Sequence, residues 1–420
     1  MENTMASEEK TYHVYGYRWV VLAVFMFVNL AIQVLWIAYA PITKEAASFY
    51  NVSIFQIGLL AMTFMITFIP LSIPVSWVID TYGFRLAVGM GVVLMGVFGV
   101  LRGLAGTSYS LVLVSTIGLA IAQPFLMNAW TKVPALWFDQ KERATAVGLV
   151  TLSSLIGVAV GMVLTPILIE QYPINSIQLI YGLVAVFSAV LFLIFAREKP
   201  ATPPCPEGME VRALMLDGLK HALTVRDFWF YLFVYFIGMG IFNGIDTWVE
   251  NIIAPRGFNA NDAGILGAVM MVGGLLGAVV IPPFSDRLRK RKRFILWGII
   301  LSIPGLLGVT FAANYWMLMT SAFFLGFFLI STGPVGMQYV AEITQPTPEG
   351  TSNGLIQLFG QASVVFVYVM QAMQDPNGAF TPGLLFSAGL MVVLVVLIMQ
   401  LKDPVLKTPK AQAKDEALEY

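Results

Sequence analysis

Charge is what this chain has least of: Asp, Glu, Lys and Arg make up 11% of its 420 residues, against 58% hydrophobic ones. A soluble domain carries roughly a quarter charged residues, so this composition excludes a water-surrounded globule and points to a protein embedded in a bilayer. Thiol and imidazole are nearly absent as well. The single cysteine, Cys205, excludes an intramolecular disulfide, and no neighbour forms a nucleophile site with it. The two histidines, His13 and His221, both fall outside the apolar blocks. There is no GxxxxGK[ST] loop to cradle phosphates, no metal-ligand spacing and no Ser-His-Asp set. These absences argue against an enzyme, an ATP-driven pump and any bound cofactor or metal. A formal net charge of zero gives no reason to expect nucleic acid as a partner. The basic run 287–293 reads instead as a loop facing anionic lipid headgroups.

What is there is apolar sequence in span-length blocks, each near the ~20 residues that cross a hydrocarbon core. They run over 18–42, 54–79, 86–105, 108–137, 143–169 and 174–196, then 228–253, 261–283, 294–313, 315–343, 351–373 and 380–401. Backbone in lipid must satisfy its own hydrogen bonds, so blocks this long and unalternating predict helices rather than barrel strands. The first block follows Glu2, Glu8 and Glu9 and is too long for a signal-peptide core, so it reads as a retained helix. The fold class expected is all-α and integral to the membrane, with twelve spans in two six-helix bundles. Residues 1–196 would form the first bundle, 197–227 a cytoplasmic central loop, 228–401 the second bundle and 402–420 a cytoplasmic tail.

The scarce positive charges are unevenly placed. Lys10, Arg18, Arg85, Lys141, Arg143, the central-loop residues from Arg197 to Arg226, Arg287 to Arg293, and Lys402, Lys407, Lys410 and Lys414 fall on one side; Lys44, Arg102 and Arg256 fall on the other. The positive-inside rule places both termini and the central loop in the cytoplasm, which needs an even number of spans. Short loops and compact length point to a plasma, that is inner, membrane.

The two halves repeat each other. WVIDTYGFR carries Asp80, a turn glycine and Arg85; IPPFSDRLRKRKR carries Asp286 and Arg287, with Asp286 at an offset of 206 from Asp80. Glu142 and Arg143 enter the fifth span and Glu349 enters the eleventh, with Glu349 at an offset of 207 from Glu142. Two features in one register indicate a duplicated six-helix unit. A carboxylate and a guanidinium at adjoining helix ends can lock two helices by a charge-assisted hydrogen bond, and a lock that breaks when the halves rock biases one conformation. Asp80, Arg85, Glu142, Arg143, Asp286, Arg287, Glu342 and Glu349 are the gating set on this reading. The other reading is a helix cap beside a snorkelling cation.

Three segments carry a more specific resemblance: SWVIDTYGFRL (76–86), LWFDQKERATA (136–146) and AEITQPTPEGTSNGL (341–355), with WIAY (36–39) in the first span. The chain resembles the major facilitator superfamily, and more closely its feline leukaemia virus subgroup C receptor-related branch. That resemblance covers most of the spans. It implies the major facilitator fold, no cofactor, and transport of a small organic solute; choline and ethanolamine are substrates of some members, and haem export has also been attributed.

In a two-half transporter the solute sits near mid-membrane between the halves, and polar groups at that depth must face one another or a wet cavity. Asn29, Gln33 and Trp36 share a face of the first span at i, i+4, i+7, and Asn243, Asp246 and Glu250 share one in the seventh at i, i+3, i+7. The offset of 206 carries Trp36 to Phe242 and that of 207 to Asn243, so the two faces are equivalent. Gln357 and Gln361 form another pair in the eleventh span, with Gln123 and Gln338 in the fourth and tenth. An indole face attracts a cation by ~0.5–2 kcal/mol. The resemblance implies that a tryptophan matching Trp36 and a tyrosine on the seventh helix flank a choline headgroup; Asn243 stands at the tyrosine's place, a departure from that pattern. Asp246 and Glu250 could attract a cationic substrate, carry a coupling proton or close an outer gate. Lys132 is either a snorkelling lysine or a partner for an anionic substrate.

The function expected is a secondary transporter working as a monomer by alternating access on a cationic amine. The alternatives are a small carboxylate, haem, proton coupling to any of these, or a non-transporting receptor.

Overall fold

The computed structural model describes residues 14–202, 216–288, 290–344, 347 and 349–402. Helix dominates throughout, and twelve helical segments among the described residues are long and apolar enough to cross a membrane. Cys205 and His13 lie outside the described residues, as do the side chains of Asp286 and Glu349.

The helices fall into two compact units. The first comprises described residues 14–38, 46–161 and 167–202; the second comprises 39–45, 162–166 and those from 216 onward. In the first half of the chain α1 spans Arg18–Ile37, α2 Thr43–Tyr50, α3 Ile54–Tyr82 and α4 Phe84–Leu104. They are followed by α5 Tyr109–Met127, α6 Lys132–Trp137, α7 Gln140–Ile169 and α8 Ile174–Phe195. The second half holds α9 Leu216–Thr224, α10 Arg226–Thr247, α11 Val249–Ile253, α12 Ala260–Leu288 and α13 Arg291–Phe311. It ends with α14 Tyr315–Ile343, α15 Glu349–Ala362, α16 Val364–Ala372 and α17 Thr381–Gln400.

Close approach of helices sets the packing. In the first unit α4 lies against α8, and a Cβ on Gly182 would stand 2.5 Å from the Gly99 carbonyl. In the second unit α12 lies against α14, with Gly273 and Gly277 pressed against the backbone carbonyls of Phe323 and Phe327. Lipid provides no hydrophobic force between helices, so small residues that let backbones touch supply the attraction.

Four spans differ from the uninterrupted blocks expected from sequence. The first stops at Ile37, and Pro41 starts the tight turn Ala40–Ile42 that leads into α2, because proline cannot continue the α ladder. The fourth breaks into α5 and α6 around Asn128 and Trp130. The seventh breaks at Trp248 and the eleventh at Ser363. The central segment is also not loop throughout: α9 occupies Leu216–Thr224 and α10 begins at Arg226, two residues before the expected boundary.

Candidate functional site

In the first unit α1 presents the face read from its spacing. Asn29 is buried and bonded at both ends of its amide: its nitrogen donates to the Phe25 carbonyl at 2.8 Å, and its oxygen accepts from Trp130 Nε1 at 2.6 Å. It therefore fixes the interrupted stretch between α5 and α6. Gln33 and Gln123 are buried with each Oε1 unpartnered. Trp36 is half-buried, and its Nε1 donates to the Ala61 carbonyl of α3 at 3.2 Å. That bond holds the indole by its edge and leaves the ring face for packing or for a ligand. Asn128, which sequence reasoning passed over, donates to the Ser72 carbonyl at 2.8 Å and to Ser76 Oγ at 3.0 Å. A polar residue beside Trp130 and just after Pro124 was the available signal.

The residues of this unit that the sequence suggested as a gate are arranged differently from that expectation. Asp80 pairs with Lys132 at 3.1 Å rather than with Arg85. Gly83, at φ +89°, turns the chain so that the N–H groups of Phe84 and Arg85 donate to Glu198 at 2.9 and 2.7 Å. A helix N-terminus has unpaired donors and a positive end of its dipole, so a carboxylate settles there and the Arg85 side chain is not what closes the turn. Glu142 meets Arg18 at 3.1 Å, while Arg143 caps the end of α6 through the Phe138 and Ala135 carbonyls at 3.2 and 3.0 Å.

In the second unit Asn243 donates to Ser363 Oγ at 3.3 Å, at the break between α15 and α16. Trp248, fully buried at the break after α10, donates to the Val367 carbonyl at 3.0 Å. Tyr235 donates to Gln357 Oε1 at 3.2 Å. Gln361 is half-buried on α15. Asp246 is fully buried, and neither carboxylate oxygen has a hydrogen-bond partner. Glu250, one turn on, is its opposite: Oε2 accepts from the Thr43 hydroxyl at 2.5 Å and from the Lys44 backbone N–H at 3.0 Å. Burial pushes the Glu250 carboxyl above the ordinary glutamate range and nearby Glu45 adds to the rise, while the Thr43 bond and Lys44 oppose it.

Gln338 joins the helix-end cluster instead of the mid-span amides. Its Nε2 donates to Glu342 at 3.1 Å, and Glu342 is held by Arg291 at 3.0 Å with both side chains buried. Arg287, expected to play Arg85's part, is exposed. Arg291 was the missed residue. The signal was in hand, since the offset of 206 carries Arg85 to Arg291 and Lys132 to Gln338.

A chain of buried polar faces on interrupted spans, repeated in two units, is transporter architecture. The sequence matches the profile of the Major Facilitator Superfamily over residues 21–259 and 250–418. This chain belongs to that superfamily. It is a multi-pass membrane transporter. Among its relatives is the choline/ethanolamine transporter FLVCR2 of Rattus norvegicus, 27% identical over 390 residues, covering 88% of this chain and 71% of the relative. Solute carrier family 49 member A3 of Xenopus tropicalis is 28% identical over 390 residues, covering 88% and 81%. Among solved structures, a bacterial homologue of the human lysosomal transporter Spinster superposes with a TM-score of 0.69 at 16% identity, covering 92% of this chain and 96% of the other. The E. coli fucose:proton symporter FucP gives 0.63 at 14%, covering 92% and 100%. Those two likenesses concern the fold.

Proposed function

We propose that this superfamily member is a secondary transporter that moves a small cationic amine of the choline or ethanolamine kind by alternating access. The observation that carries the reading is Trp36, a half-buried indole whose edge is tied to the Ala61 carbonyl; an indole fixed in this way suits a cation on its face. The unpaired carbonyl oxygens of Gln33 and Gln123 in the same unit suit a substrate bearing N–H or O–H donors. The likeness to FLVCR2, a choline/ethanolamine transporter, supports the same class. The carboxylate alternative rested on Lys132, and its ammonium is committed to Asp80. Haem lacks support because no histidine lies in the spans. The orientation that goes with this reading keeps both termini cytoplasmic.

Thermal stabilisation of purified protein by choline, ethanolamine, small carboxylates and haem tests it, with Trp36→Ala alongside. Loss of a cation–π contact of ~0.5–2 kcal/mol corresponds to about 2- to 30-fold weaker amine binding in the variant. Stabilisation by carboxylates alone, or amine binding that Trp36→Ala leaves unchanged, overturns the proposal.

A further inference from the structure

Asp246 stands at the end of α10 and Glu250 four residues on, beyond the break at Trp248, and the second unit treats them in opposite ways. Glu250 has two donors on its carboxylate. Asp246 has none and is 0% exposed. A buried carboxylate that is charged and unpartnered costs several kcal/mol, and such groups neutralise instead. Two neighbouring carboxylates in unlike surroundings take unlike protonation states.

The neutralising partner must come from outside the side chains at hand. α10 packs against α9, α11, α14, α15, α16, α17 and the turn Ala40–Ile42. Of the charged and titratable groups these bring, Lys220 and His221 lie before the start of α10. Glu342 lies at that same end, because Tyr339 packs on Tyr231 there at 5.9 Å; the side chains of Asp217 and Glu349 lie outside the described residues. At the Asp246 end stand Tyr39, Lys44, Glu45, Glu250, Tyr315 and Tyr368. None of the described groups bonds or ion-pairs with Asp246. A metal cation would need an oxygen cage. Asn243, one turn before Asp246, is bonded to Ser363, which in turn donates to the Gly360 carbonyl. A proton needs no cage.

We infer that Asp246 is a reversible proton-carrying site, holding a proton in this conformation and giving it to water when the segment opens. In the release step the carboxylic O–H bond breaks, the proton passes to water, and a carboxylate remains on Asp246. A carboxylate left charged and without donors is costly once buried again, which favours reprotonation before the segment closes. The inference rests on the transporter reading and gives it a driving ion.

Infrared spectroscopy of the wild-type protein in liposomes tests this without any substrate. The expected result is a protonated-carboxyl carbonyl band at neutral pH that moves when aspartate, and not glutamate, is isotopically labelled. The band fades reversibly as the bulk pH rises. It is absent from Asp246→Asn and kept in Glu250→Gln. No such band, a glutamate band, or one indifferent to bulk pH overturns the inference. Counterflow of labelled choline and ethanolamine, with and without an imposed pH gradient, separates the two readings. The gradient is expected to drive amine accumulation in the wild type. If the amines move and the gradient changes nothing, proton coupling is overturned and the amine reading stands. If neither moves, the amine reading falls, and the infrared titration decides Asp246.

Discussion

Glu250 shows how one side chain couples local chemistry to stability. Its burial raises the carboxyl above the glutamate range, against the opposing Thr43 hydroxyl and Lys44. The native state therefore binds this proton more tightly than the unfolded chain does. Linkage then gives the sign: the stabilising contribution is full below the unfolded glutamate value and is lost as pH rises through the higher native one. Melting temperatures measured across that window should fall for the wild type and fall less for Glu250→Gln. Equal slopes would show that Glu250 is not the group responsible. The same residue marks what sequence could reveal at this scale. The i, i+3, i+7 spacing put Asn243, Asp246 and Glu250 on one face, but not that one carboxylate would be bonded and the other bare. Their partners, Thr43 and Ser363, lie 207 and 120 positions away, and pairing across such separations is a tertiary fact. Asp80 shows the same limit, since Lys132 is its partner in space while Arg85 was nearer in sequence.

At the scale of the element, hydropathy carried all twelve spans, because membrane burial writes itself into composition. The interruptions were legible only in part. Pro41 announces the stop after α1, but nothing of the kind marks Trp248 or Ser363, where the helices break and side chains bond across to neighbours. Between elements, the glycines of α12 make a testable claim. A Cβ at Gly277 would run into the Phe327 carbonyl, whereas Gly389 of α17 has open space around it. Forcing extra atoms into a packed helix contact costs about 1–3 kcal/mol, so Gly277→Ala should lower the melting temperature. Gly389→Ala should leave it level or raise it, since alanine is the better helix former by ~1 kcal/mol. Equal behaviour of the two variants would mean that the α12–α14 contact is looser than these backbones indicate.

For the whole molecule, repetition and charge placement act together. In each unit a basic residue at the helix ends finds a carboxylate: Lys132 with Asp80 and Arg18 with Glu142 in the first, Arg291 with Glu342 in the second. Pairing lowers the cost of holding these charges near lipid without changing the vote that sets orientation, because the positive-inside rule counts Lys and Arg rather than net charge. The side chosen by that count carries the central segment with Cys205, and the opposite side carries Lys44, which is exposed. A chain with one native cysteine reports its own topology. A membrane-impermeant maleimide should label Cys205 only after cells are permeabilised. In a Cys205→Ser background, Lys44→Cys should be labelled in intact cells. The reverse pattern would put the chain the other way round in the membrane and with it the direction in which any proton held by Asp246 is delivered.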